Sequence, residues 1–157
     1  MLMIFLEALC CMELPAAAEE AVNTPSKTKV TGRWLGSFRH PAYVFDADMQ
    51  LQEDASGIIS GVIVWCMRKA PGEKHKSKIG LTAKEFIAGR FDRKSKTVAL
   101  KTKRIEDPHG LGIDPDEYSL KLSADGNTLV GGTAAHQDGL GRFNARRAAH
   151  DPGSSSK

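Results

Sequence analysis

The stretch VFDADMQLQEDASGIISGVIVWCM, residues 44–67, decides the fold. Its first half alternates apolar with polar side chains, the apolar ones being Phe45, Ala47, Met49 and Leu51. A period of two is typical of a β-strand with one face in a core and the other in water. Asp54-Ala55-Ser56-Gly57 then supplies turn residues, and a β-branched run ends at Met67. The stretch therefore predicts a long antiparallel β-hairpin.

The second arm of this hairpin is apolar on both faces. One face carries Ile59, Gly61, Ile63, Trp65 and Met67. The other face carries Ile58, Ser60, Val62, Val64 and Cys66. Such a strand is typical of the centre of a sheet, or of a sheet bent over its core.

Six further segments of strand character flank the hairpin. They lie at residues 35–38, 84–92, 97–104, 117–123, 128–134 and 140–147. Turn signals such as Asp125-Gly126-Asn127 and Asp138-Gly139 separate them, and no helical period interrupts the series. The sequence therefore predicts an all-β domain with eight strands in succession.

Closure is the expected solution for such a meander. Strands that are neighbours in sequence pair most readily, and an open meander leaves two edges that can aggregate. We therefore predict an eight-stranded antiparallel up-and-down barrel, with a two-sheet β-sandwich as the alternative. Glycines inside the strands suit the bends that closure requires, and these are Gly36, Gly61, Gly89, Gly131 and Gly141.

Length and composition fit one barrel domain with tails. The chain has 157 residues, of which 41% are hydrophobic, and its net charge is +3. A domain of this size buries a core without disulfides or metals. We place the barrel at residues 30–148, a polar linker at 19–29 and a disordered tail at 149–157.

The N-terminal 18 residues have some features of a secretory signal. Residues 1–9 are apolar, and Ala16-Ala17-Ala18 resembles a cleavage site for a signal peptidase. Against this reading, no lysine or arginine precedes the apolar run, and Glu7 interrupts it. Two alternatives follow: a cleaved signal with a periplasmic or secreted protein, or a short N-terminal helix with a cytoplasmic one.

Cysteine spacing predicts neither a disulfide framework nor a metal site. The three cysteines are Cys10, Cys11 and Cys66, and two of them fall in the leader. The spacing lacks the paired ligands that zinc requires. No apolar run reaches the length of a transmembrane helix. We expect no cofactor and no transmembrane segment, and the sequence leaves the oligomeric state open.

Gly32-Arg33-Trp34 stands at the start of the first strand. A Gly-x-Trp there, followed by seven meandering strands, resembles the calycins, the lipocalin and avidin-type barrels. The resemblance implies that Trp34 closes one end of the barrel. It also implies that a basic residue of the last strand, Arg142 or Arg146, packs across the indole ring. The lipocalin disulfide and the biotin-contacting residues of avidins are absent, so the resemblance implies a barrel and does not identify a ligand.

Four residues are predicted to line a ligand site in the barrel: Trp65, Met67, Glu85 and Tyr118. Trp65 and Met67 end the third strand near one mouth, where core packing is the competing role. Glu85 shares a face with Ile87 and Phe91, and it therefore points inward unless it lies in water at the rim. A buried carboxylate would need a partner such as the Tyr118 hydroxyl.

Two groups of basic residues make an anionic partner one possible reading of the sequence. One follows the third strand and comprises Arg68, Lys69, Lys74, Lys76 and Lys78. The other spans the fourth connection and the fifth strand and comprises Arg93, Lys94, Lys96, Lys101, Lys103 and Arg104. Such a rim attracts anions, but a solvated face is the simpler interpretation.

Three functions remain compatible with these features. The first is a non-enzymatic barrel that binds a small apolar or amphipathic ligand. The second is a filled barrel with a structural or protein-contact role. The third is an enzyme that uses Glu85 or a histidine at the mouth. A ring of inward residues decides between the first two, because a ring that is packed solid would exclude a ligand from the cup. Its members are Met49, Ile63, Ile87, Leu100, Leu120 and Leu122.

Overall fold

A computed structural model describes residues 29–134 and 141–149, which form a closed barrel of eight antiparallel strands in chain order. The strands are β1 (Gly32–Arg39), β2 (Val44–Glu53), β3 (Ile58–Lys69), β4 (Thr82–Asp92), β5 (Thr97–Glu106), β6 (Glu117–Leu122), β7 (Thr128–Thr133) and β8 (Arg142–Arg147). The predicted up-and-down barrel is confirmed. The predicted leader, the Asp138-Gly139 turn and all but the first residue of the predicted tail lie outside the described residues.

The hairpin of residues 44–67 forms as its pattern predicts. Ala47 lies opposite Trp65 and Met49 opposite Ile63 in the β2–β3 ladder. Phe45, Ala47, Met49 and Leu51 of β2 are buried, while Asp46 and Asp48 between them are partly exposed. The apolar face of each strand therefore lines the interior of the barrel.

Two local features differ from the expected series. A 3-10 helix at Glu73–Lys78 occupies the predicted loop between β3 and β4, and it buries none of its residues. A helix without an apolar face leaves no periodic signal in a sequence. Some strand ends also differ. β4 begins at Thr82 and not at residue 84, β5 continues to Glu106 beyond the predicted end at 104, and β8 begins at Arg142 and not at residue 140.

The alternating strand directions give the barrel two different ends. We call the end with the connections after β1, β3 and β5 the mouth, and these connections are residues 40–43, 70–81 and 107–116. The opposite end, the base, carries the start of β1 and the turns at residues 54–57, 93–96 and 123–127. The base turns are tight, whereas two of the mouth connections are long.

The seam between β1 and β8 closes the barrel, and Gly36 permits it. Gly36 lies opposite Ala145 in the ladder. A Cβ atom at Gly36 would lie 2.1 Å from the carbonyl oxygen of Asn144. Only glycine allows the two backbones to approach this closely.

The interior between the two ends is occupied by side chains. The six residues of the inward ring, Met49, Ile63, Ile87, Leu100, Leu120 and Leu122, are all at most 5% exposed. Eight-stranded barrels are just wide enough for side chains to fill them. Within the described part of the chain, no helix has the length and apolar character needed to cross a bilayer.

Candidate functional site

The base of the barrel is sealed by Trp34. Its ring is fully buried, and its Nε1–H donates to the carbonyl oxygen of Val30 at 2.9 Å. The guanidinium of Arg147 lies 4.3 Å from the centre of the ring. The same guanidinium donates from Nη1 to Thr31 O at 2.7 Å and from Nη2 to Lys29 O at 2.6 Å. These contacts tie the start of β1 to the end of β8.

The arginine over Trp34 is Arg147, which corrects the assignment to Arg142 or Arg146. The side chains at 142 and 146 are exposed on the outer face of β8. Phe143 and Ala145 are buried, so odd positions of β8 face inward and Arg147 continues this face. Gly32 makes room for it, because a Cβ atom there would lie 2.9 Å from the Arg147 Nη1 atom. The Gly-x-Trp motif therefore accommodates this arginine.

Aromatic rings converge on the mouth. We call the set the aromatic group, and it consists of Phe38, Tyr43, Phe45, Trp65, Tyr118 and Phe143. Trp65 is at its centre, with ring centroids 6.4 Å from Phe38, 6.2 Å from Phe45 and 6.0 Å from Phe143. All three contacts are edge-to-face, the geometry in which aromatic pairs attract.

Glu85 lies beneath this group and is fully buried. Its Oε2 atom accepts hydrogen bonds from Trp65 Nε1–H at 2.8 Å and from the Tyr118 hydroxyl at 2.7 Å. Its Oε1 atom accepts one from the Thr102 hydroxyl. Of the partners considered for an inward Glu85, the Tyr118 hydroxyl is the one that contacts it. The position in water at the rim, which statistics on charged residues favour, is wrong.

An irregularity in β5 brings Thr102 to Glu85. Phe86 pairs with Arg104, but the next residue, Ile87, pairs with Thr102. β5 therefore carries one extra residue, Lys103, as in a β-bulge, and the side on which its residues face changes there. The Thr102 hydroxyl also accepts a hydrogen bond from the Asp116 N–H at 2.7 Å. The bulge thus links the buried carboxylate to the loop before β6.

The Glu85 cluster combines a buried carboxylate with uncharged hydrogen-bond donors. No lysine, arginine or histidine of residues 29–134 and 141–149 forms an ion pair with Glu85. Burial raises the pKa of Tyr118, and the neighbouring Glu85 carboxylate raises it further. Tyr118 therefore stays protonated and remains a hydrogen-bond donor. Neutral donors alone hold the carboxylate in place.

A small pocket opens at the mouth above this cluster. Its volume is about 100 Å³. Among the described residues it is lined by Phe38, Tyr43, Phe45, Trp65, Gly112, Ile113, Asp114, Asp116, Tyr118 and Thr133. Five rings of the aromatic group therefore form one part of the wall, and residues of the loop before β6 form another.

One polar atom in this wall has no partner. The hydroxyl oxygen of Thr133 is buried and makes no hydrogen bond with the described residues. Buried hydroxyls are nearly always paired, and an exception calls for a bound molecule or a water. Thr133 ends β7 and lines the pocket, so the pocket holds an unused donor and acceptor.

Two lysines fasten the loops that surround the pocket. Lys69 Nζ donates to Pro41 O at 2.5 Å, and Lys78 Nζ donates to Gly110 O. Asp107 organises the third loop by accepting from Leu111 N–H at 2.8 Å and Gly112 N–H at 3.0 Å. Burial alone would raise the pKa of Asp107, but these backbone donors outweigh it and the pKa is lowered. The pocket is therefore largely preformed.

The structure brings together three of the four predicted ligand residues. Trp65 and Tyr118 line the pocket, and Glu85 is hydrogen-bonded to both from behind. Met67 is buried and does not line it. Sequence reasoning missed several lining residues, namely Phe38, Tyr43, Phe45, Asp114, Asp116 and Thr133. The sequence contained one signal for them, because the end of β1, the start of β2 and the loop before β6 all lie at the mouth.

Five of the eleven basic residues in the two predicted groups pair with acids. Arg68 pairs with Asp46 at 2.6 Å and Lys101 with Glu117 at 2.7 Å. Further pairs join Lys76 to Glu73, Arg93 to Glu53 and Arg104 to Glu106. The second predicted group also divides, because residues 93–96 lie at the base and Arg104 near the mouth.

Neither a metal centre nor the outer wall of the barrel gives a better candidate. Within the described ranges no three histidine, cysteine or acidic residues come close enough to hold a metal ion. A shallow groove of about 540 Å³ crosses the outer wall from β4 to β7. Its lining is mostly small, with Ala88, Ala99, Ser119 and Gly132 among its residues. Ligand sites are usually concave, and this groove is shallow and lies on the outer wall, so the mouth pocket is the better candidate.

Comparison with known proteins adds no relative to this picture. No family model matches the chain, and no curated protein matches it. The candidate site therefore rests on its own geometry: an aromatic pocket at the mouth of a closed barrel, above a buried carboxylate.

Proposed function

We propose that this protein is a non-enzymatic binding module, in which a compact part of a small amphipathic molecule enters the mouth pocket. The observation that supports the proposal most strongly is the combination of aromatic walls with the unpaired Thr133 hydroxyl. Ligand sites typically join apolar lining to a few well-placed polar groups. A bound molecule would satisfy that hydroxyl.

The size of the pocket limits what enters. Pockets for drug-sized ligands measure at least about 300 Å³, whereas this pocket measures about 100 Å³. Liquid water occupies about 30 Å³ per molecule, so such a space holds about three waters or one compact group of a few heavy atoms. The inward ring below it is buried, which confines the ligand to the mouth. The first hypothesis placed the ligand inside the barrel, whereas the site proposed here is a shallow pocket at the mouth.

A binding role fits the Glu85 cluster better than a catalytic one. General acid–base catalysis requires the titrating side chain to lie within hydrogen-bond reach of the substrate. Glu85 is covered by Trp65 and Tyr118, and its contacts are hydrogen-bond donors without a histidine among them. The carboxylate fixes the two rings that line the pocket. Its role here is to position them.

The calycin resemblance is part of this proposal. The closed eight-stranded barrel and the Arg147 guanidinium over Trp34 both support it. The resemblance implies that Trp34 closes one end of the barrel, which leaves the mouth, where the pocket lies, as the other end. The filled-barrel alternative, supported by the buried ring, predicts a protein without any small ligand.

Two indole N–H signals in the protein NMR spectrum test the binding proposal. Trp65 reports from the pocket and Trp34 from the base. Four probes are added in turn: choline, 3,3-dimethylbutan-1-ol, indole and isobutyrate. At least one should shift the Trp65 signal saturably and leave Trp34 unchanged. Filling the pocket with Ile113→Phe should abolish the shift. Failure of all four probes to move Trp65 selects the filled-barrel alternative.

A further inference from the structure

The mouth pocket has a distinctive charge pattern. Asp114 and Asp116 are the two charged side chains among its described lining residues, and both are acidic. Glu85 adds a third carboxylate behind the wall, one hydrogen bond from Trp65 and one from Tyr118. Lys69 and Lys78 at the mouth donate to the carbonyl oxygens of Pro41 and Gly110. The acidic lining therefore favours a positive ligand group.

The aromatic walls favour the same sign of charge. Phe38, Tyr43, Phe45 and Trp65 surround one side of the pocket. Aromatic faces carry partial negative charge and attract cations, and cages of such rings are the usual receptors for quaternary ammonium groups. The edge-to-face contacts of Trp65 with Phe38 and Phe45 hold these rings at fixed angles. The cage therefore needs little rearrangement to receive a cation.

We infer that the mouth pocket binds the compact cationic head of a small organic molecule, of the trimethylammonium class. This inference rests on the proposed function and assigns the chemistry of its ligand. A trimethylammonium group has a few heavy atoms and no hydrogen-bond donors, which suits a space of about 100 Å³ walled by rings. The Thr133 hydroxyl then serves a neighbouring polar group of the same molecule, such as the hydroxyl of choline.

The opposite assignment, an anionic head, conflicts with the lining. A carboxylate or phosphate in the pocket would share it with Asp114 and Asp116. Like charges repel, and the described residues that line the pocket include no arginine or lysine.

The test compares choline with 3,3-dimethylbutan-1-ol, which has the same shape without the charge. Dissociation constants are read from the Trp65 indole N–H, with the Trp34 indole as internal control. Choline should bind at least about ten-fold more tightly than the neutral alcohol. Phosphocholine should bind more weakly than choline, because its phosphate faces the two aspartates.

Variants of the pocket acids complete the test. Asp116→Asn and Asp114→Asn should each weaken choline binding about three- to ten-fold and leave the neutral alcohol unaffected. Asp125→Asn, at a turn of the base, should change neither. An unchanged Trp34 signal shows that each variant is folded.

The outcomes separate the two proposals. Equal binding of choline and the neutral alcohol overturns the cationic assignment and leaves the binding function standing. Tighter binding of phosphocholine than of choline indicates an anion-compatible headgroup site and also overturns it. If none of the four probes reaches Trp65, the proposed function fails as well.

Discussion

At the scale of single residues, the most informative side chain is Glu85. It is the one fully buried charged residue in the described part of the chain. Its partners are two lining residues of the pocket and Thr102 of the bulge. Burying a carboxylate without a cation is costly unless its lone pairs are filled. This cost is offset by three donors, and the arrangement links the stability of the barrel to the shape of the pocket.

Two substitutions at Glu85 should have different effects. Glu85→Ala leaves the Trp65 and Tyr118 donors unpaired and creates a cavity, so it should lower the free energy of unfolding by about 3 kcal/mol or more. Glu85→Gln keeps an acceptor for these donors, and its amide can donate to the Thr102 oxygen. Thr102 can then donate to Asp116 O, 3.1 Å away. Glu85→Gln should therefore cost less than about 1 kcal/mol.

Urea unfolding of the two variants measures this difference. Equal destabilisation by Gln and Ala would contradict the account, because it would mean that the negative charge itself is required. Tyr118→Phe provides a graded control that removes one donor and leaves the ring in place.

Arg147 and Arg146 form a matched pair for a second residue-scale test. Arg147→Met removes three hydrogen bonds to carbonyls and the cation over Trp34, so it should cost about 2 kcal/mol. Arg146→Met alters an exposed side chain and should stay within about 0.5 kcal/mol of the parent. Thermal unfolding distinguishes them. Equal effects of the two substitutions would refute the role assigned to Arg147.

This pair also shows where sequence reasoning reached its limit at this scale. The calycin resemblance predicts a basic residue of β8 over Trp34, but the residue there is Arg147 and not Arg142 or Arg146. Arg146 and Arg147 are adjacent and chemically identical, and a shift of one residue moves a side chain to the other face of a strand. The alternation of Phe143 and Ala145 with polar residues indicates which positions of β8 face inward, and it places Arg147 on that face. For Glu85 the pattern indicated the inward face, while general statistics on charged residues favoured water.

At the scale of elements, the turns of the base share one device. Asp54, Asp92 and Asp125 each accept a hydrogen bond from a serine hydroxyl and from backbone N–H groups of their own turn. Such turns are common where aspartate can replace a backbone acceptor. The serine hydroxyl is the largest cause of a lowered pKa in all three, and backbone donors add to it.

The lowered pKa values predict the direction of acid sensitivity. Folding favours the deprotonated carboxylates, so their contribution to stability is complete above the ordinary aspartate pKa of about 3.9. It is lost as the pH falls through the lower pKa of the folded state. The free energy of unfolding should therefore decrease from about pH 5 to pH 3, as measured by urea titration at each pH.

Asp54→Ala should flatten this pH dependence and lower the melting temperature at pH 7. Asp114→Ala is the control, because it removes an exposed carboxylate from a mouth loop without breaking a turn. A parent protein whose stability rises on acidification from pH 5 to pH 3 would contradict the assignment of these turns.

Sequence patterns predicted elements well where the chain alternates. The β2–β3 hairpin followed from its period of two and from the turn at Asp54-Ala55-Ser56-Gly57. The 3-10 helix at Glu73–Lys78 and the bulge at Lys103 were not predicted. Neither has an apolar period of its own. The helix is held by local bonds such as His75 N–H to Gly72 O, and the bulge is defined by how β5 pairs with β4.

At the scale of the whole molecule, the barrel has one sealed end and one end with a pocket. Trp34 and Arg147 close the base, while aromatic rings and two acids line the mouth. The number of strands and their closure could be predicted, because eight sequential strands avoid edges only by closing. The pocket could not be predicted, since it depends on the path of the mouth loops and on contacts between residues distant in sequence.

Gly36 is the residue on which closure depends most directly. Gly36→Ala places a Cβ atom 2.1 Å from Asn144 O, and β1 and β8 must separate to relieve the clash. We expect a loss of about 2 kcal/mol or more in urea unfolding. Gly72→Ala is the matched control, because nothing lies within 4 Å of a Cβ atom there. Comparable effects of the two substitutions would contradict the seam described here.

Amide hydrogen exchange, read residue by residue by NMR, tests the closed barrel most directly. The ladder from Trp34–Arg147 to Arg39–Arg142 joins the first strand to the last. The account predicts that amides of β1 and β8 bonded across this seam exchange as slowly as those of the central strand β3. Rapid exchange of the seam amides, with β2 to β7 still protected, would show an open sheet and contradict the account.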